Sequence, residues 1–478
     1  MDLERGLRNL GSASLMRLVS AALSFALFTF LARRWSATML GEFATVFAVF
    51  TLLQQAPLLG LHFVLGRDVA ARPETRAELA TNAAVLSLGV SVVLAAAVAA
   101  AGMLLYPSSM WAAFGLLGLS LVPTALIVVA ESLLWGGERM GTVMSVNAVE
   151  SAFRVIGCLS VVLMGYGLTG IWVVWLAGRL LVAGIYLRLG VLGDAIRPRN
   201  VDPATLRRLL RISPIFLGLM MLGAAVSRID FLLLSKLGTL RDVGLYSGAY
   251  RVFELALMVP MLTSFVLFPV LARTLAASEA DFNRLTGHIF RTYIVAGFPL
   301  ALLLAFLAPR LIVLLFGRPF AEAAIVLQIL SIAPVLAGLD QILTSVQLAR
   351  HRQGDDLFVL ALACALYVIL LCVLIPRFGF VGAGIATLAV ALFQPALRYV
   401  VTRRRAGLPP LLHVAIRPAL AALAMGGVLL ASRGWGFGVG PILALIVYGT
   451  GLLLLGVVSV RDLTALRAVI ASGHRVRP

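Results

Sequence analysis

Apolar positions fall into fourteen long blocks with short polar gaps, roughly at 11–33, 41–66, 79–105, 111–135, 141–164, 169–190, 212–236, 244–271, 288–311, 324–349, 357–375, 381–401, 412–432 and 440–460. Each has about the length that a helix needs to cross a bilayer, roughly 20 residues. In lipid every backbone amide needs a partner within the protein, and a helix supplies it inside one segment. The pattern therefore predicts an all-α integral membrane protein with about 14 transmembrane helices. No gap is long enough for a soluble domain. The longest, near 191–211, holds Arg197, Arg199, Arg207, Arg208 and Arg211.

Composition agrees. Hydrophobic residues make up 61% of the 478 and charged residues 13%, against about 45–50% and about 25% in soluble domains. Mean hydropathy is +1.03. The net charge is +18, and Lys236 is the only lysine among 39 basic residues. Such charge can mean nucleic acid, but here it sits in the gaps between apolar blocks. With the N-terminus placed in the cytoplasm, the inside segments carry 25 basic residues, the outside segments eight, and six fall within helices. A threefold excess inside predicts that both termini are cytoplasmic.

Several chemistries are excluded. The stretch Leu234-Ser235-Lys236-Leu237 is not a Walker phosphate loop, which needs G-x-x-x-x-G-K-[ST]. Cys158, Cys364 and Cys372 lie in apolar blocks without zinc spacing. His62, His288, His351, His413 and His474 are scattered. No metal and no cofactor is expected. The first block is too long for a cleavable signal peptide and lacks a cleavage site.

The blocks repeat. At an offset of 203, Gly41, Phe43, Phe47, Phe50 and Pro57 match Gly244, Tyr246, Tyr250, Phe253 and Pro260. At an offset of 212, Tyr166-Gly167-Leu168-Thr169-Gly170 matches Phe378-Gly379-Phe380-Val381-Gly382. At the first offset each pair is the same residue or an aromatic swap. The reading is two six-helix bundles, 1–190 and 212–405, joined by a basic cytoplasmic linker at 191–211 and followed by two extra C-terminal helices and a tail at 406–478. An even number of helices per bundle makes the repeat parallel, with an axis along the membrane normal.

The order and spacing of several short motifs resemble one family. Ser227-Arg228-Ile229-Asp230, Leu237-Gly238, Val243-Gly244-Leu245-Tyr246-Ser247, Tyr250-Arg251-Val252 and the interval from Pro260 to Pro269 are similar to the seventh and eighth helices of the polysaccharide-transporter branch of the multidrug/oligosaccharidyl-lipid/polysaccharide (MOP) exporter superfamily. Leu40-Gly41-Glu42-Phe43 and Phe378-Gly379-Phe380-Val381-Gly382-Ala383 fit the same pattern. The resemblance implies a MOP/MATE-like fold of six, six and two helices and a lipid-linked oligosaccharide flippase, with lipid II flippases and drug antiporters as relatives. The chief competing fold is the major facilitator type. Gly66-Arg67-Asp68 and Arg72 match its second-to-third-helix loop only in part.

Charged groups inside a membrane helix cost at least about 2.5–3.5 kcal/mol at the centre, so they usually face a cavity or a partner. Counted from the hairpin near 166–167, Arg154 and Arg179 each lie twelve or thirteen residues away, near mid-depth. Glu150, four residues from Arg154, can neutralise only one of them; the plainer alternative is that the arginines pair with Glu131, Glu150 or another carboxylate. A net positive locus is expected there. Arginine suits a diphosphate because its planar fork bonds two oxygens and stays charged when buried. Counted from the hairpin near 240, Asp230 and Arg251 share a depth and are candidates to pair, with Arg228 and Glu254 close by. This set reads as a gate, an ion-coupling site or a structural ion-pair cluster. Asp340 has no evident partner in sequence, with Gln341 beside it. Arg17 and Arg417 lie near cytoplasmic ends, where such side chains snorkel. The family resemblance makes Arg17 a further candidate for the diphosphate.

The expected function is a flippase of a bacterial inner membrane, with a lipid-linked oligosaccharide as substrate, membrane lipid around it and H+ or Na+ as a possible coupling ion. Polysaccharide polymerase or ligase machinery is an expected partner, and nucleic acid is not. Two other readings stand beside it: a MATE-like drug or metabolite antiporter, and a membrane-embedded glycan polymerase or ligase. The short outside loops count against the last.

Overall fold

The structure, a computed structural model, describes residues 3–54, 56–193, 196–350, 352–406, 408, 412–432 and 438–457. Its helices are α1 (Leu3–Arg34), α2 (Ala37–Leu53), α3 (His62–Ala71), α4 (Arg76–Leu105), α5 (Ser108–Gly136), α6 (Met140–Leu163), α7 (Leu168–Arg188), α8 (Pro203–Leu237), α9 (Leu240–Ala277), α10 (Glu279–Phe316), α11 (Ala324–Leu330), α12 (Ala333–Ala349), α13 (Gln353–Ala406), α14 (Leu412–Ala431) and α15 (Val439–Leu454). Each apolar block contains helix, and no strand occurs among the described residues. The chain is an all-α, multi-pass membrane protein.

Blocks and helices do not match one to one. The second block divides into α2 and α3, because Leu59 (φ 53°) and Gly60 (φ 73°) turn the chain between them. Gly60 is needed twice over there: a Cβ on it would lie 2.6 Å from the backbone of Phe216. Pro57 adds to the break, since it can donate no helical hydrogen bond. In α9 the matching Pro260 sits inside a continuous helix. The tenth block divides into α11 and α12. The eleventh and twelfth blocks join as α13, with the expected hairpin marked by Gly379 at φ 54°. Among the described residues, eight helices are each long and apolar enough to cross a membrane, or nine with the bent α8; α2 and α15, at 17 and 16 residues, are shorter.

The chain divides into two compact units. The first holds Met1–Gly248, Leu315–Phe320 and Val368–Ala383. Its core lies between α3, α4, α5 and α7 and includes Leu65, Ala83, Val129, Leu133 and Tyr186. Small residues let α4 and α5 approach closely, as membrane helices require: a Cβ on Gly118 would come within 2.7 Å of the Ala95 carbonyl oxygen. The basic stretch after α7 is tied down. Val191 and Leu192 are buried, and the buried Asn82 of α4 donates to the Asn200 carbonyl and accepts from the Asp202 amide. Asp202 then caps α8, accepting from the amides of Ala204 and Thr205. Those bonds hold its carboxyl below the usual carboxylate range.

The second unit holds Ala249–Leu314, Ala321–Tyr367 and Gly384–Pro478. There α14 and α15 pack together through Ala421, Met425, Ala444 and Tyr448, with Phe298 and Leu302 of α10 against them. The Tyr448 hydroxyl donates to the Val295 carbonyl at 2.8 Å.

Contacts within the first unit reproduce the repeat. A Cβ on Gly41 would lie 1.8 Å from the Leu240 carbonyl oxygen, and a Cβ on Gly244 would lie 1.8 Å from that of Ala37. The offset of 203 relates Ala37 to Leu240 and Gly41 to Gly244. Each matched glycine thus seats the other helix's backbone, as two copies facing across a local two-fold axis would. The N-caps match as well. Ser36 accepts from the Met39 amide, while its counterpart Thr239 exchanges bonds with Asp242 in a reciprocal capping box.

Candidate functional site

In the first unit α6 and α7 bring Arg154, Arg179 and Glu150 together, at the common level expected from hairpin counting. One Glu150 oxygen lies 3.7 Å from Arg154 and 3.5 Å from Arg179. Both distances exceed the roughly 2.7–2.9 Å of a tight charged hydrogen bond. Glu150 therefore sits between both guanidinium groups at ion-pair distance.

Aromatic rings form a shelf beneath them. The Arg154 guanidinium lies 4.4 Å from the Trp175 ring centre, and that of Arg179 lies 5.2 Å from Phe50. Phe50 and Trp175 meet edge to face at 5.5 Å. The negative ring faces support the cations without consuming their N–H donors. Glu131 of α5 also sits beside Arg179, Glu150, Asn147 and Tyr186. The expected net positive locus is thus revised: two arginines and two carboxylates meet here. The second carboxylate comes from a helix that counting from one hairpin does not reach.

Asp230 is 1% exposed. Its carboxylate accepts from the Tyr246 hydroxyl at 2.7 Å and from the Phe231 amide at 2.9 Å. The Arg228 guanidinium lies 5.7 Å from the Phe231 ring centre and 5.8 Å from that of Phe47. In the second unit, Arg251 donates to Glu254 at 2.8 Å along α9. The Arg17 side chain lies outside the described residues, and Arg417 is exposed.

Asp340 has partners that its sequence neighbours do not reveal. Arg398 Nε donates to Asp340 Oδ1 at 2.7 Å, and Gln394 Nε2 donates to Oδ2 at 2.9 Å. Arg398 also donates to Gln347 at 2.9 Å and to Asp356. Gln347 donates to Thr402, which donates in turn to the Arg398 carbonyl. Arg398 is 2% exposed. A signal for this network exists in the sequence. Gln394, Arg398 and Thr402 recur every four residues, so they share one face of α13, and Asp340 and Gln347 are spaced to share one face of α12.

The second unit also contains a cavity of about 760 Å³, mostly apolar, with Arg310 and Gln328 as its polar lining beside Phe306, Gly426 and Leu430. No group of three or more metal-ligating side chains occurs among the described residues.

Among solved structures the chain is similar to an inward closed form of the lipid II flippase MurJ, with a TM-score of 0.77, 12% identity, and coverage of 95% of this chain and 99% of that one. It is similar to an inward-facing multidrug resistance MATE family transporter of the MOP superfamily, with a TM-score of 0.65, 15% identity, and coverage of 82% and 98%. A MATE transporter from Vibrio cholerae follows at a TM-score of 0.57, 16% identity, and coverage of 84% and 96%. At these identities the likeness establishes the fold, which is that of membrane transporters and not of a catalytic domain. No curated protein matches the sequence. Residues 30–325 match the polysaccharide biosynthesis protein family, and with more than half of its length so matched, this chain belongs to that family, on the MOP transporter fold.

Proposed function

We propose that the protein is a flippase that moves an undecaprenyl-diphosphate-linked oligosaccharide from the cytoplasmic to the periplasmic leaflet of a bacterial inner membrane, supplying O-antigen or exopolysaccharide synthesis. The observation that carries this reading is the pair Arg154 and Arg179, gathered on one carboxylate above an aromatic shelf, in a member of a polysaccharide biosynthesis family. A cation exporter would more naturally line its site with carboxylates free of arginine. The diphosphate would displace Glu150 from the two forks. Arg17 is kept as a further diphosphate contact. The lipid tail would stay in the bilayer along the last two helices, where the apolar cavity beside α14 offers room.

Transport would run by alternating access of two six-helix bundles, 1–190 and 212–405, with 191–211 as linker, 406–478 as the extra pair and tail, and fourteen spans in all. Arg228, Asp230, Arg251, Glu254 and Asp340 are proposed gate, ion-coupling or structural charges, with H+ or Na+ as the coupling ion. Both termini would be cytoplasmic, and polymerase or ligase machinery would take the product.

Deleting the gene tests the function. Lipid-linked oligosaccharide should accumulate on the cytoplasmic face; unchanged glycan with altered drug tolerance would favour an antiporter instead. Arg179→Gln in the restored gene should slow glycan export by about ten- to hundredfold, the worth of one charged hydrogen bond of about 1.5–3 kcal/mol, with normal protein in the membrane. Arg179→Lys should recover only part, since lysine keeps the charge and loses the fork. Normal export with glutamine at both arginines would remove them from the site.

Topology is tested separately. Single cysteines replacing Arg199 or Arg404 should resist an impermeant thiol reagent applied to intact cells, while one replacing Thr239 should react. Reaction at Arg199 would overturn the orientation.

A further inference from the structure

Within the first unit, two helix C-termini are capped by cations from elsewhere in the chain. Helix α4 ends at Leu105, and the Leu105 carbonyl accepts from Lys236 at the end of α8. Helix α10 ends at Phe316, and the Leu315 carbonyl accepts from Arg33 at the end of α1, at 2.9 Å. The last carbonyls of a helix lack intrahelical partners and carry partial negative charge, so a cation there is favoured.

These caps are the same contact made twice. The offset of 203 that relates the matched glycines also relates Arg33 to Lys236, and Leu105 and Leu315 each stand at the end of a matched helix. In both, an aromatic residue follows the capped carbonyl. Lys236 lies 3.3 Å from the Tyr106 ring centre, and Tyr106 hydrogen-bonds Ser235 at 2.9 Å. Phe316 packs on Phe28 at 5.7 Å. Each repeat thus lends its cation to a helix end of the other. The reciprocal seat of Gly41 and Gly244 follows each cation by eight residues in sequence. Where the first repeat has Gly167 against Met39, the second has Gly379 against Asp242, the 203 and 212 offsets applied to one contact.

We propose that Arg33 and Lys236 are the two releasable bolts of a clasp that closes one face of the transporter, with the glycine seat supplying the fit. The proposal rests on the transport reading above, since a clasp matters only if the face opens. The chemistry suits release. Both cations are exposed, and so water can take over either carbonyl and either cation when the helix ends part. An apolar seal would have no such substitute. Because the bolts are exchanged between repeats, neither repeat can withdraw without breaking both.

The test uses the full chain in membranes, in a background without Cys364 and Cys372. Cys158, which is fully buried, stays as a reporter of unfolding. Thr239→Cys, exposed beside the clasp, identifies the membrane face that bears it; labelling there from the cytoplasmic side would sink the topology and leave the clasp test intact. From that face, probes at the buried positions Ser247→Cys and Thr45→Cys should label slowly in the parent. Replacing both bolts by methionine should speed labelling about tenfold, a shift of about 1.4 kcal/mol toward the open form. Restoring charge by Lys236→Arg, with Arg33 intact, should return the parent rate. Unchanged labelling in the double methionine variant overturns the clasp. So does a rise that spreads to Cys158, because the bolts would then hold the fold and not a moving joint.

Discussion

Replacing Arg398 by methionine should remove most of the folded protein from the membrane. Among the described residues, Arg398 is the single cation in ion-pair contact with Asp340 and Asp356, and its side chain is 3% exposed. Without it, the carboxylate of Asp340, itself 9% exposed, loses its counter-charge where no bulk water can replace it. Removing one partner of a buried ion pair costs about 3–5 kcal/mol, and a whole domain is stable by only about 5–15 kcal/mol. Asp340→Asn should cost less, because Arg398 keeps Asp356 and Gln347. Pairing Arg398→Met with Asp340→Leu should recover much of the loss, since an apolar replacement of a whole buried pair is often neutral. Membrane abundance and the melting temperature of purified protein read all three. A single Arg398→Met that melts like the parent would show that the network carries no stability.

Adding one methyl group at the glycine seat should be almost as damaging. In Gly41→Ala or Gly244→Ala the new carbon would sit 1.8 Å from a backbone oxygen, far inside contact distance. No rotamer can relieve a clash with main chain, so α2 and α9 must separate. Overpacking usually costs about 1–3 kcal/mol, and a clash of backbone type lies at or beyond the top of that range. The contrast is provided by Gly89→Ala and Gly115→Ala, where nothing lies within 4 Å. Those should leave stability unchanged or raise it by about 0.5–1 kcal/mol through helix propensity. Equal melting temperatures across the four variants would contradict the close approach.

The sequence made the helices legible because lipid imposes one solution on every apolar block of sufficient length. It also made the repeat legible, through glycines and aromatics at two nearly equal offsets, and the common depth of Arg154 and Arg179, through the fixed rise of a helix. Rotation about the helix axis was harder to read. Depth alone does not say which neighbour a side chain faces, so Glu131 was one candidate partner of the arginines without being fixed there, and the pairing of Arg398 with Asp340 across two helices stayed hidden. Breaks were hidden as well. The second block reads as one long apolar stretch, and only the short run Gln54, Gln55, Pro57 and Gly60 marks where it turns. The contact partner that demands the turn, Phe216, lies far along the chain.

The position of Lys236 has a practical side. A chain with one lysine has one reactive side-chain amine, and here that amine is exposed and rests on the Leu105 carbonyl and the Tyr106 ring. Amine chemistry that scatters over most proteins would reach one side chain, this one, beside the α-amino group, and so place a dye or spin probe at the joint between the repeats with no residue changed. Its reactivity would itself follow whether the helix end it caps is engaged or released.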